Sequence, residues 1–204
     1  MNLRLPYYLL RAALCPLVLS LAALCPAVAT AQSQPQSVSL TDAVERVISE
    51  MPTRLTHIRG ELLANNPEAI DYTSLLLLNG ADNCVISVFN TPGDTTAAWK
   101  ADLPVLDDWN QAKKAFASAY ESLHRARITR LHPGVVYRLE GDFQAADDTK
   151  QTNVIEFTLD PAGEEFQKVR VQLVLTYTMP EWRLEVQVYE KSGELGMTAG
   201  ASAP

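Results

Sequence analysis

Apolar residues recur at Leu40, Val44, Val47, Ile48 and Met51, the three-and-four spacing that lines one face of a helix. Ser39 and Asp42 stand in the Ser-x-x-acid relation of a capping box, and Pro52 stops the run, so the pattern predicts a short amphipathic helix. A longer stripe of the same period follows at Trp109, Ala112, Phe116, Ala119, Tyr120 and Leu123. Asp107 or Asp108 is placed to cap it, and the helix is expected to reach about Arg127.

Between these helices the period shortens. From Arg54 to Leu63 the chain alternates as a strand would but also offers Leu62 and Leu63 to a helical turn; a strand ending at Gly60 is the expectation. After the break Asn65-Asn66-Pro67, two nearly continuous apolar runs, Tyr72–Leu78 and Cys84–Phe89, flank Asn79-Gly80-Ala81-Asp82-Asn83. They read as a hairpin with both faces at least partly covered. The turn Thr91-Pro92-Gly93-Asp94 then leads to a third strand, Thr95–Ala101, carrying Trp99.

From Val135 onward apolar and polar residues alternate strictly. Val135, Tyr137, Leu139 and Phe143 form one apolar row, followed by Ile155, Phe157 and Leu159, then Val169 to Tyr177, then Trp182 to Val188. Arg138, Glu140, Glu156, Thr158, Arg170, Gln172, Arg183, Glu185 and Gln187 fall between them. This predicts a four-strand antiparallel meander with one apolar and one polar face.

The expected fold is therefore α+β: two helices packed on antiparallel sheet, in the order helix, three strands, helix, four-strand meander. It reads as two helix-plus-meander halves, near 40–102 and 103–190, within a single domain over 40–190 and with no residue-by-residue repeat. One sheet or two is left open. Residues 32–39 are polar and read as a flexible leader, and 191–204 lack period and core residues and read as a disordered tail.

The first 31 residues differ from everything after them. Arg4 and Arg11 precede an uncharged stretch from Ala12 to Val28, and Pro26 precedes the small-x-small triplet Ala29-Thr30-Ala31. This is the pattern of a secretory signal peptide cut between Ala31 and Gln32, and it places the mature protein in the periplasm or outside the cell. The stretch nearly spans a bilayer, so an uncleaved anchor is the alternative; Pro16, Pro26 and the cleavage triplet favour removal. A lipoprotein is disfavoured because Cys15 and Cys25 each follow leucine and precede proline.

Removal of Arg4 and Arg11 takes the formal charge from −7 to −9, since all 24 acids remain. That argues against nucleic acid and against anionic membranes as partners, and no stable membrane insertion is expected after cleavage. Cys15 and Cys25 leave as well, so Cys84 has no internal disulfide partner. Its neighbours Val85, Ile86 and Val88 point to burial.

Little catalytic chemistry is legible. His57, His124 and His132 lie in separate contexts without metal-ligand spacing, and neither a nucleophile elbow nor a glycine-rich phosphate loop occurs. No metal or cofactor is expected. The acid pairs Asp107-Asp108, Asp147-Asp148 and Glu164-Glu165 sit where acids cap helices and stabilise turns. The concentrated positive segment is His124, Arg125, Arg127, Arg130 and His132, with Lys113 and Lys114 on the same helix. It reads either as complement to the helix dipole with pairing to the chain's own acids, or as a dock for an anionic partner. The polar face of the second meander is another candidate surface.

Secretion, small size and the missing catalytic pattern favour a non-enzymatic protein-binding domain: an inhibitor, immunity protein or accessory factor. A small-ligand or lipid carrier with a pocket between helices and sheet is the alternative, and an enzyme with a dispersed site stands third.

Overall fold

The computed structural model describes residues 35–91 and 94–191. The expected signal peptide, its cut at Ala31 and Gln32, the Pro92-Gly93 turn and the tail beyond Lys191 lie outside the described residues.

The fold is α+β, with two helices against a large antiparallel sheet. Helix α1 (Leu40–Glu50) is capped by Ser39, whose hydroxyl accepts the Asp42 N–H, and it buries Ala43, Val44, Val47 and Ile48. Helix α2 (Trp109–His124) is capped by Asp108, whose carboxylate accepts the Gln111 N–H at 2.9 Å, and it buries Ala112, Phe116, Ala119, Tyr120 and Leu123. The expected stripe is the buried one. The helix closes at His124 rather than near Arg127 because Ala126 and Ile128 turn into the core in an extended segment, where Ile128 bridges Tyr137.

Eight strands form the main sheet: β2 (Arg59–Asn65), β3 (Ala69–Ser74), β5 (Asn83–Thr91), β6 (Asp94–Asp102), β7 (Arg138–Glu140), β8 (Thr152–Asp160), β9 (Val169–Thr178) and β10 (Glu181–Glu190). Their spatial order is β2-β3-β5-β6-β10-β9-β8-β7. Each half of the chain is a helix followed by a meander that runs inward from one edge. The last strands of the two meanders, β6 and β10, meet antiparallel at the centre, with Trp99 opposite Val188 and Ala101 opposite Val186. The seven expected strands thus become a single eight-stranded sheet, accompanied by a parallel pair, β1 (Gln36–Val38) with β4 (Leu76–Leu78).

Three departures from the sequence reading have physical causes. The apolar run Tyr72–Leu78 is two elements, because the chain bends at Leu75, just after Ser74. The buried Ser74 hydroxyl donates to the Leu76 carbonyl and accepts both the Leu76 N–H and the indole N–H of Trp99. These bonds satisfy the backbone where it leaves the sheet. Released from β3, Leu76 and Leu78 enter the core beside α1 and give Gln36–Val38 a strand to join, so this part of the expected flexible leader is a strand.

Gly60 lies inside a strand rather than at its end. A Cβ there would come within 2.3 Å of the Thr73 hydroxyl, so glycine marks a close approach of β2 to β3, in a stretch where the register shifts. The expected first-half set of three strands is therefore four within the main sheet.

Finally, β7 is only three residues long, and Phe143, expected to continue its apolar row, is half exposed with its ring against Tyr120.

Both helices pack on the sheet face that carries Ile86, Trp99, Phe157, Leu173, Leu184 and Val188. Trp99, Phe116 and Phe157 are almost wholly buried in that layer. The opposite face carries Asp71, Ser87, Lys100, Gln187, Gln172 and Glu156, and neither helix covers it. Val85 and Phe89, expected to be at least partly covered on this side, are half-buried among their strand neighbours, with no second layer over them among the described residues.

Candidate functional site

The basic segment at the end of α2 is brought together only in part. Arg125, at the C-cap, pairs with Glu121 one turn earlier at 2.6 Å. The His124 ring stacks on Tyr120. The alternation of Ala126 and Ile128 inward turns Arg127 outward, where it has no partner among the described residues.

Arg130 and His132 are each engaged by an acid from another element. Glu45 on α1 is only 6% exposed. Its Oε1 accepts the backbone N–H groups of Thr129 at 2.7 Å and Arg130 at 3.0 Å, and the Arg130 Nε lies 3.5 Å from its Oε2. His132 has Nδ1 at 2.7 Å from the Tyr137 hydroxyl and Nε2 at 3.6 Å from Glu165. Three of the five candidate residues therefore face acids of this same chain, whereas Arg127 and, earlier on the helix, Lys113 and Lys114 have no acid partner among the described residues. His124 and His132 keep separate partners.

The polar sheet face has more internal order. The Tyr189 hydroxyl on β10 donates to Glu156 Oε2 on β8 at 2.7 Å, passing over β9, while Arg170 on β9 holds Glu156 Oε1 at 3.4 Å. Burial, followed by the bond to Glu156 and its negative charge, raises the Tyr189 pKa far above the ordinary phenol value of 10.0. The Ser87 hydroxyl donates to Asp71 at 2.6 Å on the neighbouring strands. Lys100, Gln187, Gln172 and Glu156 form one continuous row across β6, β10, β9 and β8.

A third feature has no counterpart in the sequence reading. After α1, the chain makes two short 3-10 turns, Met51–Thr53 and Thr56–Ile58, joined by Arg54 and Leu55. Both linking residues are left-handed, with φ of 54° and 60°, at a cost on the order of 1 kcal/mol each. The conformation drives Leu55 wholly into the core and leaves Arg54 exposed. Arg54 and Arg59 then line an open cleft of about 470 Å³ with Pro52, Thr53, Thr56, Val88 and Thr95. The Arg59 guanidinium lies over the Tyr72 ring, its Nη2 donates to the Arg54 carbonyl, and its buried Nε has no acceptor among the described residues. The signal present in the sequence is two arginines within the irregular stretch from Pro52 to Gly60; their convergence depends on backbone angles that no periodicity encodes.

Among the described residues, no three His, Cys, Asp or Glu side chains gather as metal ligands. Cys84 is 4% exposed and its sulfur accepts the Leu78 N–H at 3.4 Å. Burial raises its pKa above 9.0, so the thiolate is disfavoured. Of the acid pairs, Asp108 caps α2 and Asp147 accepts from the hydroxyl and N–H of Thr149. Comparison with known protein families, with curated proteins and with solved structures found no match to this chain.

Proposed function

We propose that this chain works as an exported, non-enzymatic protein-binding domain whose contact surface is the helix-free face of the sheet. The observation that carries this reading is the cross-strand arrangement of Tyr189, Glu156 and Arg170, which fixes polar groups on rigid strands of an uncovered face. Eight strands spaced at about 4.8 Å are about 34 Å wide, and the central ones run about 30 Å. Such a face offers on the order of 800–1,000 Å², the area one partner contributes to a stable protein interface. Fixed side chains lose little entropy on binding, which favours recognition by a rigid partner.

A carrier would need a void between helices and sheet. Trp99, Phe116 and Phe157 fill that layer, which favours the protein-binding reading over the lipid or small-ligand one. Helix α2 and the segment after it, with Lys113 and Lys114 exposed in the helix and Arg127 exposed beyond its end, form the second surface to consider.

Affinity capture from a periplasmic extract on the mature chain tests the proposal. A retained protein lost with Gln187→Arg supports the sheet face. Loss only with Arg125→Glu plus Arg127→Glu moves the contact to the end of α2. Co-purified lipid with no retained protein supports the carrier instead.

A further inference from the structure

We propose that the cleft between the 3-10 segment after α1 and the adjoining ends of β5 and β6 is an oxyanion site, holding a carboxylate or phosphate group between Arg54 and Arg59. The site lies on the helix side of the sheet, where Val88 and Thr95 point, and it stands or falls independently of the proposed contact face.

The charge pattern is the first support. This chain has 24 acids for 17 basic residues, and it places acids beside Arg125, Arg130, Arg170 and Arg183. Arg54 and Arg59 nevertheless both line this cleft, and none of its lining is a carboxylate among the described residues. The adjacent acid, Glu50, is already engaged by His57 Nδ1 at 2.8 Å and by the Thr53 hydroxyl at 2.9 Å. Like charges gathered without an acid favour a bound anion.

The second support is the state of Arg59. Tyr72 and the Arg54 carbonyl fix its guanidinium plane, and its Nε remains a buried donor with no acceptor among the described residues. Buried donors are almost always satisfied. A planar guanidinium held in place, with a donor unused, is suited to the paired oxygens of a carboxylate or phosphate. Thr95, which also lines the cleft, is of a type that can supply a neutral hydroxyl donor. The volume exceeds what one small anion fills, so the bound group is expected to be part of a larger molecule.

Inorganic phosphate and acetate, each titrated into the isotope-labelled full mature chain, distinguish the sources, with chloride as the control for ionic strength. NMR of the arginine Nε–Hε groups is the readout. The expected result is a saturable shift of the Arg59 signal with one stoichiometric anion: preference for phosphate indicates a phosphorylated ligand, preference for acetate a carboxylate one. Arg54→Gly serves as the decisive variant, because glycine accepts φ of 54° without strain. It should melt no lower than the parent chain while its anion affinity falls about tenfold or more. Arg59→Gln should abolish saturation. An Arg59 signal that moves no more with phosphate or acetate than with chloride overturns the proposal, as does undiminished affinity in Arg54→Gly.

Discussion

Glu45 on α1 accepts the backbone N–H of Arg130, beyond the end of α2, at 3.0 Å, and the same carboxylate lies 3.5 Å from that residue's Nε. One buried acid thus joins the helix of the first half to the segment that follows the helix of the second. It also draws Arg130 into the fold's own hydrogen bonding.

Replacing Glu45 by alanine leaves the Thr129 and Arg130 N–H groups without their acceptor. The expected loss is about 2–4 kcal/mol of unfolding free energy, with a smaller loss of about 1 kcal/mol for Glu45→Gln, which keeps a carbonyl oxygen. Urea denaturation measures both. Equal stability of Glu45→Ala and the parent chain would mean that the carboxylate does not tie the two halves.

Ser74 has a similar role at the bend between β3 and β4. Ser74→Ala removes the acceptor for both the Trp99 indole and the Leu76 N–H, so a loss of about 1–3 kcal/mol is expected. Trp99→Ala, which empties the largest fully buried side chain, should cost about 3–5 kcal/mol. Thermal or urea unfolding reports both, and a cost for Ser74→Ala indistinguishable from zero contradicts the assignment.

The Cys84 thiol should react slowly with a thiol reagent in the folded state and rapidly in urea. Its raised pKa keeps the thiolate scarce through neutral and mildly alkaline pH, and burial keeps the reagent out. A covalent dimer on a non-reducing gel is not expected. Rapid native labelling contradicts the burial of Cys84 against Leu78.

Tyr189 supplies a pH dependence. Its pKa is raised in the folded state, so the folded chain holds this proton more tightly than the unfolded one. The associated stability is fully present below the ordinary phenol value of 10.0 and is lost as pH rises beyond it toward the folded pKa. Ultraviolet titration should show a phenol that resists ionisation well above the ordinary value, and Tyr189→Phe should remove that component. A profile unchanged by Tyr189→Phe would contradict the bond to Glu156.

The parts of this fold with a strong period were legible in the sequence. Both helices carry their stripes and caps where Ser39 and Asp108 put them, and β8 to β10 alternate as written. What was lost depends on contacts remote in sequence or on single residues with local tasks. Gly60 resembles a strand end, and only the proximity of Thr73 shows why a strand needs it. Ser74 is one hydroxyl in an apolar run, yet it redirects the chain. The basic segment was visible as a cluster, whereas its partner Glu45 lies 84 residues from Thr129, beyond the reach of any spacing argument. Arg54 and Arg59 converge because of left-handed backbone angles, which the residue types Arg and Leu do not favour.

The proposed contact face is tested most directly by the affinity of a captured partner for two variants of the mature chain. Gln187→Arg places a bulky charge at the centre of the Lys100-to-Glu156 row, and Lys114→Glu alters exposed charge on α2. Surface plasmon resonance should show at least about tenfold weaker binding for Gln187→Arg and near-parental binding for Lys114→Glu. Parental affinity of a well-folded Gln187→Arg chain would contradict the assignment of the sheet face as the binding surface.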